Sequence, residues 1–200
     1  MSKKYSILSS LSVVLLAFAI SCNEADSEGF APPLADPVQL VKRGRYLVNA
    51  IGCDDCHSPK KMGPHGPEID SALRFSGYPA GRPLPAFDTN TAKNWVLFGG
   101  DLTSAIGPWG VSFAGNITSD ATGIGNWTEA QFIRCLREGK WKGLEQGRPL
   151  LPPMPWQNFS KLSYEDLRCI YAFLKTTRPV NNTVPQPIPP GGLSAAAKAR

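Results

Sequence analysis

Cys53-Asp-Asp-Cys56-His57 is the stretch of this chain whose residue types and spacing specify a chemistry. Two thiols three positions apart sit about one helical turn from each other, close enough to bond the two vinyl groups on one edge of a porphyrin. The adjacent His57 then aims its imidazole at the iron. The C-x-x-C-H order therefore reads as attachment of one c-type haem through Cys53 and Cys56, with His57 as the proximal iron ligand. Three other uses of these residues fit less well. A thioredoxin-like C-x-x-C belongs beside a β-α-β pattern, which the flanking sequence lacks. A structural zinc site needs four ligands, and Cys135, Cys169 or His65 would have to be drawn in without a second close pair. A disulfide across two residues is strained and leaves His57 unexplained.

A haem iron held by His57 has an opposite face to fill, and Met62, His65 and Met154 are the candidates. Five residues separate Met62 from His57, a reach of roughly 17 Å at full extension, which is too little to round the macrocycle edge and return. His65 is eight residues away and could just arrive if Gly63-Pro-His-Gly-Pro67 were fully stretched. Met154 lies in Leu151-Pro-Pro-Met-Pro-Trp156, where flanking prolines reduce the freedom the backbone must lose to be held over a ring. A lone methionine among apolar residues is also an ordinary core residue. The residues by themselves leave His65 and Met154 open.

Three helices are expected to position these groups. Val38, Val41, Leu47, Val48 and Ile51 recur at near-helical spacing behind Pro37, which predicts a helix over 37–52 running into the motif. Gly44 within it costs about 1 kcal/mol against Ala, so it is expected to admit close approach of another helix or of the haem edge. Thr128 with Gln131 is a capping-box pattern opening a helix that carries Ala130, Phe132, Ile133 and Leu136 and stops at Gly139. A third helix opens at Ser163, has Glu165 and Asp166 in its first turn, and carries Leu167, Ile170, Tyr171 and Leu174 on one face. From Ser58 to Gly125 the chain is rich in Gly, Pro and Asn, with no evident repeat. So long an irregular segment is usually functional or wrapped around something. Trp127 is expected to pack in the core, with a propionate contact as its other use, and Arg148 is a second propionate candidate.

The ends read differently. Lys3 and Lys4 followed by the apolar run Ile7 to Ile20, then small residues ahead of Cys22, form an export signal over 1–21. Leu16-Ala-Phe-Ala-Ile-Ser-Cys22 is similar to a bacterial lipobox, so Cys22 is expected to be acylated and become the new N-terminus, anchoring the protein to a membrane on the periplasmic or outer side. Residues 22–36 are then a polar tether, 37–179 the folded domain and 180–200 a Pro-rich tail. The formal net charge of +5 falls to +3 without Lys3 and Lys4, and the basic residues are scattered. That gives no case for nucleic acid as a partner.

Three runs together resemble the cytochrome c domains of bacterial alcohol-dehydrogenase-type cytochrome subunits. They are Gly44-Arg-Tyr-Leu-Val-Asn-Ala-Ile-Gly-Cys-Asp-Asp-Cys-His57, Asn116-Ile-Thr-Ser-Asp-Ala-Thr-Gly-Ile-Gly-Asn-Trp-Thr-Glu-Ala-Gln-Phe-Ile-Arg134 and Leu151-Pro-Pro-Met-Pro-Trp-Gln-Asn-Phe-Ser-Lys-Leu-Ser-Tyr-Glu-Asp-Leu167. The resemblance implies a mostly α cytochrome c fold with long irregular loops around one haem, and Met154 as the distal ligand. It further implies a one-electron carrier that is not an enzyme, working with redox proteins such as a dehydrogenase or a terminal oxidase. The rival within haem chemistry is an enzyme or gas sensor with an open or displaceable distal site. Two features depart from the family. Its subunits often carry several haem motifs where this chain has one, and Ala is frequent where Cys135 and Cys169 stand. Two small-to-Cys changes on neighbouring helices of an exported protein are expected to form a Cys135–Cys169 disulfide, worth roughly 3–4 kcal/mol if unstrained.

Overall fold

Asp36 starts the first helix, α1 (Pro37–Ala50), by accepting a 2.9 Å hydrogen bond from the Val38 N–H, with Pro37 at the first helical position. The computed structural model describes residues 36–198. The signal peptide expected over 1–21, the acylation candidate Cys22 and all but the last residue of the tether lie outside the described residues. Further along are α2 (Cys53–His57), α3 (Thr89–Ala92), α4 (Glu129–Glu138), α5 (Trp156–Phe159), α6 (Tyr164–Leu174) and α7 (Leu193–Lys198). Among the described residues, no helix is long and apolar enough to cross a membrane.

Helices α1, α4 and α6 bury the main core. Leu47 and Val48 come from α1, Phe132, Ile133 and Leu136 from α4, and Leu167, Ile170, Phe173 and Leu174 from α6. Burying each such side chain contributes about 1.5–3 kcal/mol, which is why these three stretches fold as the periodicity predicts. Their starts also follow the sequence. Thr128 and Gln131 form the reciprocal capping box, with the Gln131 N–H donating to Thr128 Oγ1 at 3.2 Å and the Thr128 N–H donating to Gln131 Oε1 at 2.9 Å. Ser163 caps α6 through the Asp166 N–H at 3.0 Å. Gly44 lets α1 come close against α6. A Cβ built there would lie 1.8 Å from the Cys169 carbonyl oxygen, so the expected close approach is to a helix.

The segment 58–125 departs from the expectation of an irregular loop. Strands β1 (Lys60–Gly63) and β2 (Gly66–Ile69) pair antiparallel, with Lys60 opposite Ile69 and Gly63 opposite Gly66. Strands β3 (Leu97–Phe98), β4 (Ser104–Gly107) and β5 (Gly110–Phe113) form a second antiparallel sheet in the order β3-β4-β5. Helices still carry the main core, so "mostly α" describes the domain only loosely. Both tight hairpins are closed by Gly-Pro-x-Gly: Gly63-Pro-His-Gly66 and Gly107-Pro-Trp-Gly110. Proline presets the first central position of each turn, and the closing Gly66 and Gly110 take φ of 121° and 101°, a region that favours glycine.

The second sheet has its own small core of Ala92, Ile106, Val111 and Leu193, with Leu84, Phe87, Leu97, Phe113 and Ile188 packed around it. Ile188 and Leu193 come from the segment expected to be a tail. That segment is fastened to the domain. Ile188 bridges Val111, and the Asn182 amide donates to the Ser76 and Tyr78 carbonyls at 2.7 and 2.9 Å and accepts from the Ala80 N–H at 2.9 Å. The folded unit therefore continues well past residue 179, because Asn182 supplies partners for backbone groups that would otherwise lack them.

Asp101 ties the loop before β4 together. Its carboxylate accepts from Arg82 Nη1 at 2.6 Å, and from the Thr103 N–H and Oγ1 at 3.2 and 2.8 Å. Burial pushes the carboxyl pKa up, but the bonds from Thr103 and Arg82 outweigh it and hold it below the usual range. A carboxyl whose folded pKa is depressed contributes stability above its unfolded pKa, near 3.9, and loses it as pH falls through the folded value. Asp101→Asn is expected to cost about 1–3 kcal/mol at neutral pH. Urea titrations of both proteins should show the gap closing below about pH 4. A gap that stays constant from pH 7 to pH 3 would contradict the assignment.

Candidate functional site

Helix α2 is five residues long and buries none of them fully, so neither propensity nor packing explains its order. Its backbone and side-chain bonds do. The Asp54 carbonyl accepts from the Ser58 N–H at 3.2 Å, the His57 carbonyl from the Gly77 N–H at 2.8 Å, and the Asp55 carbonyl from Lys60 Nζ at 2.6 Å. The Asp54 side chain is gripped by Arg74, through Nε at 3.0 Å and Nη2 at 2.6 Å, and by Ser58 Oγ at 2.6 Å. Burial raises the Asp54 pKa, and the hydrogen bonds from Arg74 and Ser58 outweigh it, leaving the carboxyl below its ordinary value. Ser58, fully buried, also accepts from the Phe75 N–H at 2.9 Å.

His57 is partly buried, and its Nδ1 lies 2.7 Å from the Gly115 carbonyl oxygen. A carbonyl only accepts, so Nδ1 carries the proton and Nε2 presents its lone pair. Burial, opposed by that hydrogen bond, pulls the imidazole pKa down and keeps the ring neutral. A neutral imidazole whose second nitrogen donates to a backbone carbonyl has the form of a metal-ligating histidine.

Cys53 and Cys56 lie one turn apart on this helix and are both partly buried. Burial, and then the Asp54 charge, push Cys53 up to about 12, and burial raises Cys56 as well. A redox-catalytic cysteine needs the opposite shift. Two cysteines one helical turn apart, followed directly by an imidazole with a free Nε2 lone pair, are the arrangement a covalently held haem needs. Among the described residues, no three of His, Cys, Asp and Glu gather where they would hold a metal ion.

The three residues considered for the opposite face differ in exposure. Met62 is 81% exposed, and His65 is exposed at the tip of the β1–β2 hairpin. Met154 is partly buried and packs against the main hydrophobic cluster, as does Cys53. Its loop is held by the Leu150 N–H to the Gly139 carbonyl at 2.7 Å, and by Ser112 Oγ donating to the Pro152 carbonyl at 2.6 Å. The Pro152–Pro153 bond is cis. Trp127 packs against the same cluster, and its carbonyl accepts from Tyr171 Oη at 2.7 Å. Arg148 stacks over Trp141 at 4.3 Å and lines an open groove with Trp109 and Leu151.

The expected Cys135–Cys169 disulfide is not formed; both thiols are free. The two helices do pack together, but the cysteines serve different contacts. Cys135 lies against the backbone of Lys142 and Gly143, beside α4. Cys169 is fully buried on α6 at its crossing with α1, where its carbonyl meets Gly44.

Lys60, Arg74, Gly77 and Gly115 hold the motif in place, and nothing in the sequence singles them out. Two of the four act through backbone atoms, which leave no side-chain signature.

No family model matches the chain. Curated proteins do. The alcohol dehydrogenase (quinone) cytochrome c subunit of Gluconacetobacter polyoxogenes is 35% identical over 123 residues, covering 60% of this chain and 25% of that one. The fructose dehydrogenase cytochrome subunit of Gluconobacter japonicus is 30% identical over 148 residues, 73% of this chain and 23% of that one. The gluconate 2-dehydrogenase cytochrome c subunit of Pantoea cypripedii is 32% identical over 135 residues, 67% of this chain and 22% of that one. The chain spans about a quarter or less of the length of these relatives.

Proposed function

We propose that this chain, whose sequence resembles the cytochrome c subunits of bacterial dehydrogenases, carries single electrons on one c-type haem bound to Cys53 and Cys56. His57 is the proximal ligand and Met154 the distal one. The observation that carries this reading is the 2.7 Å bond from His57 Nδ1 to the Gly115 carbonyl, which leaves the Nε2 lone pair one residue from Cys56. When bound, the haem iron supplies reversible one-electron exchange. The thioether of Met154 favours the ferrous state and raises the potential. With His57 and Met154 both given to the haem, no open position would be left for a substrate, and the protein would relay electrons without a reaction of its own. Its partners are redox proteins such as a dehydrogenase or a terminal oxidase. The export signal and Cys22 favour a location at a bacterial membrane, facing the periplasm or cell surface, held by lipid.

One gel tests attachment and location together. Membrane and soluble fractions are run under denaturing, reducing conditions and stained for haem. The expected result is one stained band in the membrane fraction, which Cys22→Ser moves to the soluble fraction and Cys53→Ser with Cys56→Ser abolishes. Haem that runs free of the chain would defeat the attachment. A wild-type band in the soluble fraction would defeat the anchor alone.

A further inference from the structure

Lys60 is an unusual lysine. Its ammonium meets backbone carbonyls instead of a carboxylate: Asp55 at 2.6 Å, Asp101 at 2.9 Å, Ser58 at 3.2 Å and Asp54 at 3.5 Å, the last at the outer limit of a hydrogen bond. Asp54 and Asp55 lie within α2, and Ser58 is the residue that caps its C-terminal end. The end of a helix carries a partial negative charge and carbonyls short of partners, so one cation there serves several groups at once, including the Asp54 carbonyl that already accepts from the Ser58 N–H. The fourth carbonyl belongs to Asp101, whose side chain is fixed by Arg82 and Thr103. Lys60 thus ties the helix carrying Cys53, Cys56 and His57 to a loop anchored elsewhere in the domain.

We propose that Lys60 is a positioning residue for the haem ligand His57, acting through the C-terminal turn of α2. This rests on the His57 and Met154 ligation proposed above. A helix of one and a half turns has little rigidity of its own, and His57 is its last residue. Of the bonds that fix its pitch, the Gly77 and Gly115 contacts hold His57 itself and the Arg74 pair holds its first turn. Among these, Lys60 alone brings a charge to the last turn, and it meets the Asp54, Asp55 and Ser58 carbonyls together. Its neighbour Lys61 is exposed and pairs across the hairpin with Glu68, so the two lysines are distinguishable by substitution.

The test uses the haem-loaded full chain. Imidazole is titrated into the ferric protein and the reduction potential is measured for wild type, Lys60→Met, Lys60→Arg and Lys61→Met. With α2 loosened, the match between His57 and Met154 is expected to suffer. Lys60→Met should then bind imidazole about tenfold more tightly and have a lower potential, because a positive charge beside the site is also lost. Lys60→Arg, which keeps a cation with several donors, should restore most of both, and Lys61→Met should match wild type. Unchanged imidazole affinity and potential in Lys60→Met, even with a lowered melting temperature, would reduce Lys60 to a structural residue and overturn the proposal. So would Lys61→Met shifting both readouts as far as Lys60→Met. If Lys60→Met does not fold, Lys60→Gln carries the same titration, and a wild-type result there overturns it equally. Wild type that binds imidazole or carbon monoxide freely would instead refute the axial ligation, a separate failure seen before any variant is made.

Discussion

Gly44→Ala is expected to destabilise the domain by roughly 3 kcal/mol or more, since overpacking alone costs about 1–3 and the obstacle here is backbone. The added Cβ would lie 1.8 Å from the Cys169 carbonyl oxygen, 2.5 Å from its carbon and 2.8 Å from the Phe173 Cβ. None of these atoms belongs to a flexible side-chain tip, so α1 and α6 must separate along their contact. That contact also orders Phe173, which stacks edge-on to Phe75 at 6.2 Å and lies under the Arg45 guanidinium at 5.7 Å. Alanine returns about 1 kcal/mol of helix propensity, too little to offset a displaced helix pair. Thermal melts should show a drop of about 6–12 °C for a domain of this size. Gly81→Ala, where nothing lies within 4 Å of the added Cβ, is the control and should stay within about 1 kcal/mol of wild type. A Gly44→Ala protein as stable as that control would mean that the two helices do not cross at Gly44.

The helices were legible because their signals are long and redundant. Over ten or more residues, the period of α1, α4 and α6 agrees with their caps at Asp36, Thr128 and Ser163. The strands were not, because two to four residues are too few for an alternation to register. The turns do carry a signal that the strands lack: Gly-Pro-x-Gly occurs twice, at 63–66 and 107–110, and closes a hairpin each time. The packing of residues 180–198 was hidden for another reason. Its composition of Pro, Asn and Gly suits a linker, but what holds it is the geometry of single groups such as the Asn182 amide.

At the site, the motif announced Cys53, Cys56 and His57, but not what holds them. Gly115 contributes a carbonyl and Gly77 an N–H, and any residue has the first and nearly any the second. Lys60 and Lys61 are alike in sequence and differ only in which side of a strand they occupy. The Cys135–Cys169 expectation failed on a similar point. Two helices can be correctly judged neighbours while the facing positions are misjudged, and here one cysteine faces the Trp141–Gly143 turn and the other the α1 crossing.

Met154→Ala is expected to leave the haem attached and open its iron. The proposed thioether bonds run through Cys53 and Cys56, which the substitution does not touch, so a denaturing gel should stain as strongly as for wild type. The replacement removes the sulfur that completes the coordination. No other described methionine or histidine is placed to substitute, since Met62 is 81% exposed and His65 stands at an exposed hairpin tip. The loop itself should survive. Its shape comes from Pro152, Pro153 and Pro155, from the Ser112 bond to the Pro152 carbonyl at 2.6 Å, and from the Leu150 N–H to the Gly139 carbonyl at 2.7 Å. Three changes should follow: loss of the sulfur-to-iron charge-transfer band in the ferric protein, carbon monoxide binding in the ferrous protein, and a lower reduction potential, because the thioether favours ferrous iron. Wild type should bind carbon monoxide poorly, which separates an electron carrier from a haem enzyme or gas sensor with a displaceable distal ligand. Stability should fall by about 2–5 kcal/mol from the lost side-chain packing, and a thermal melt of the variant beside wild type checks that the spectra report a folded protein. An unchanged charge-transfer band in Met154→Ala would sink the assignment and return the distal position to His65, whose substitution by Ala would then have to open the iron instead.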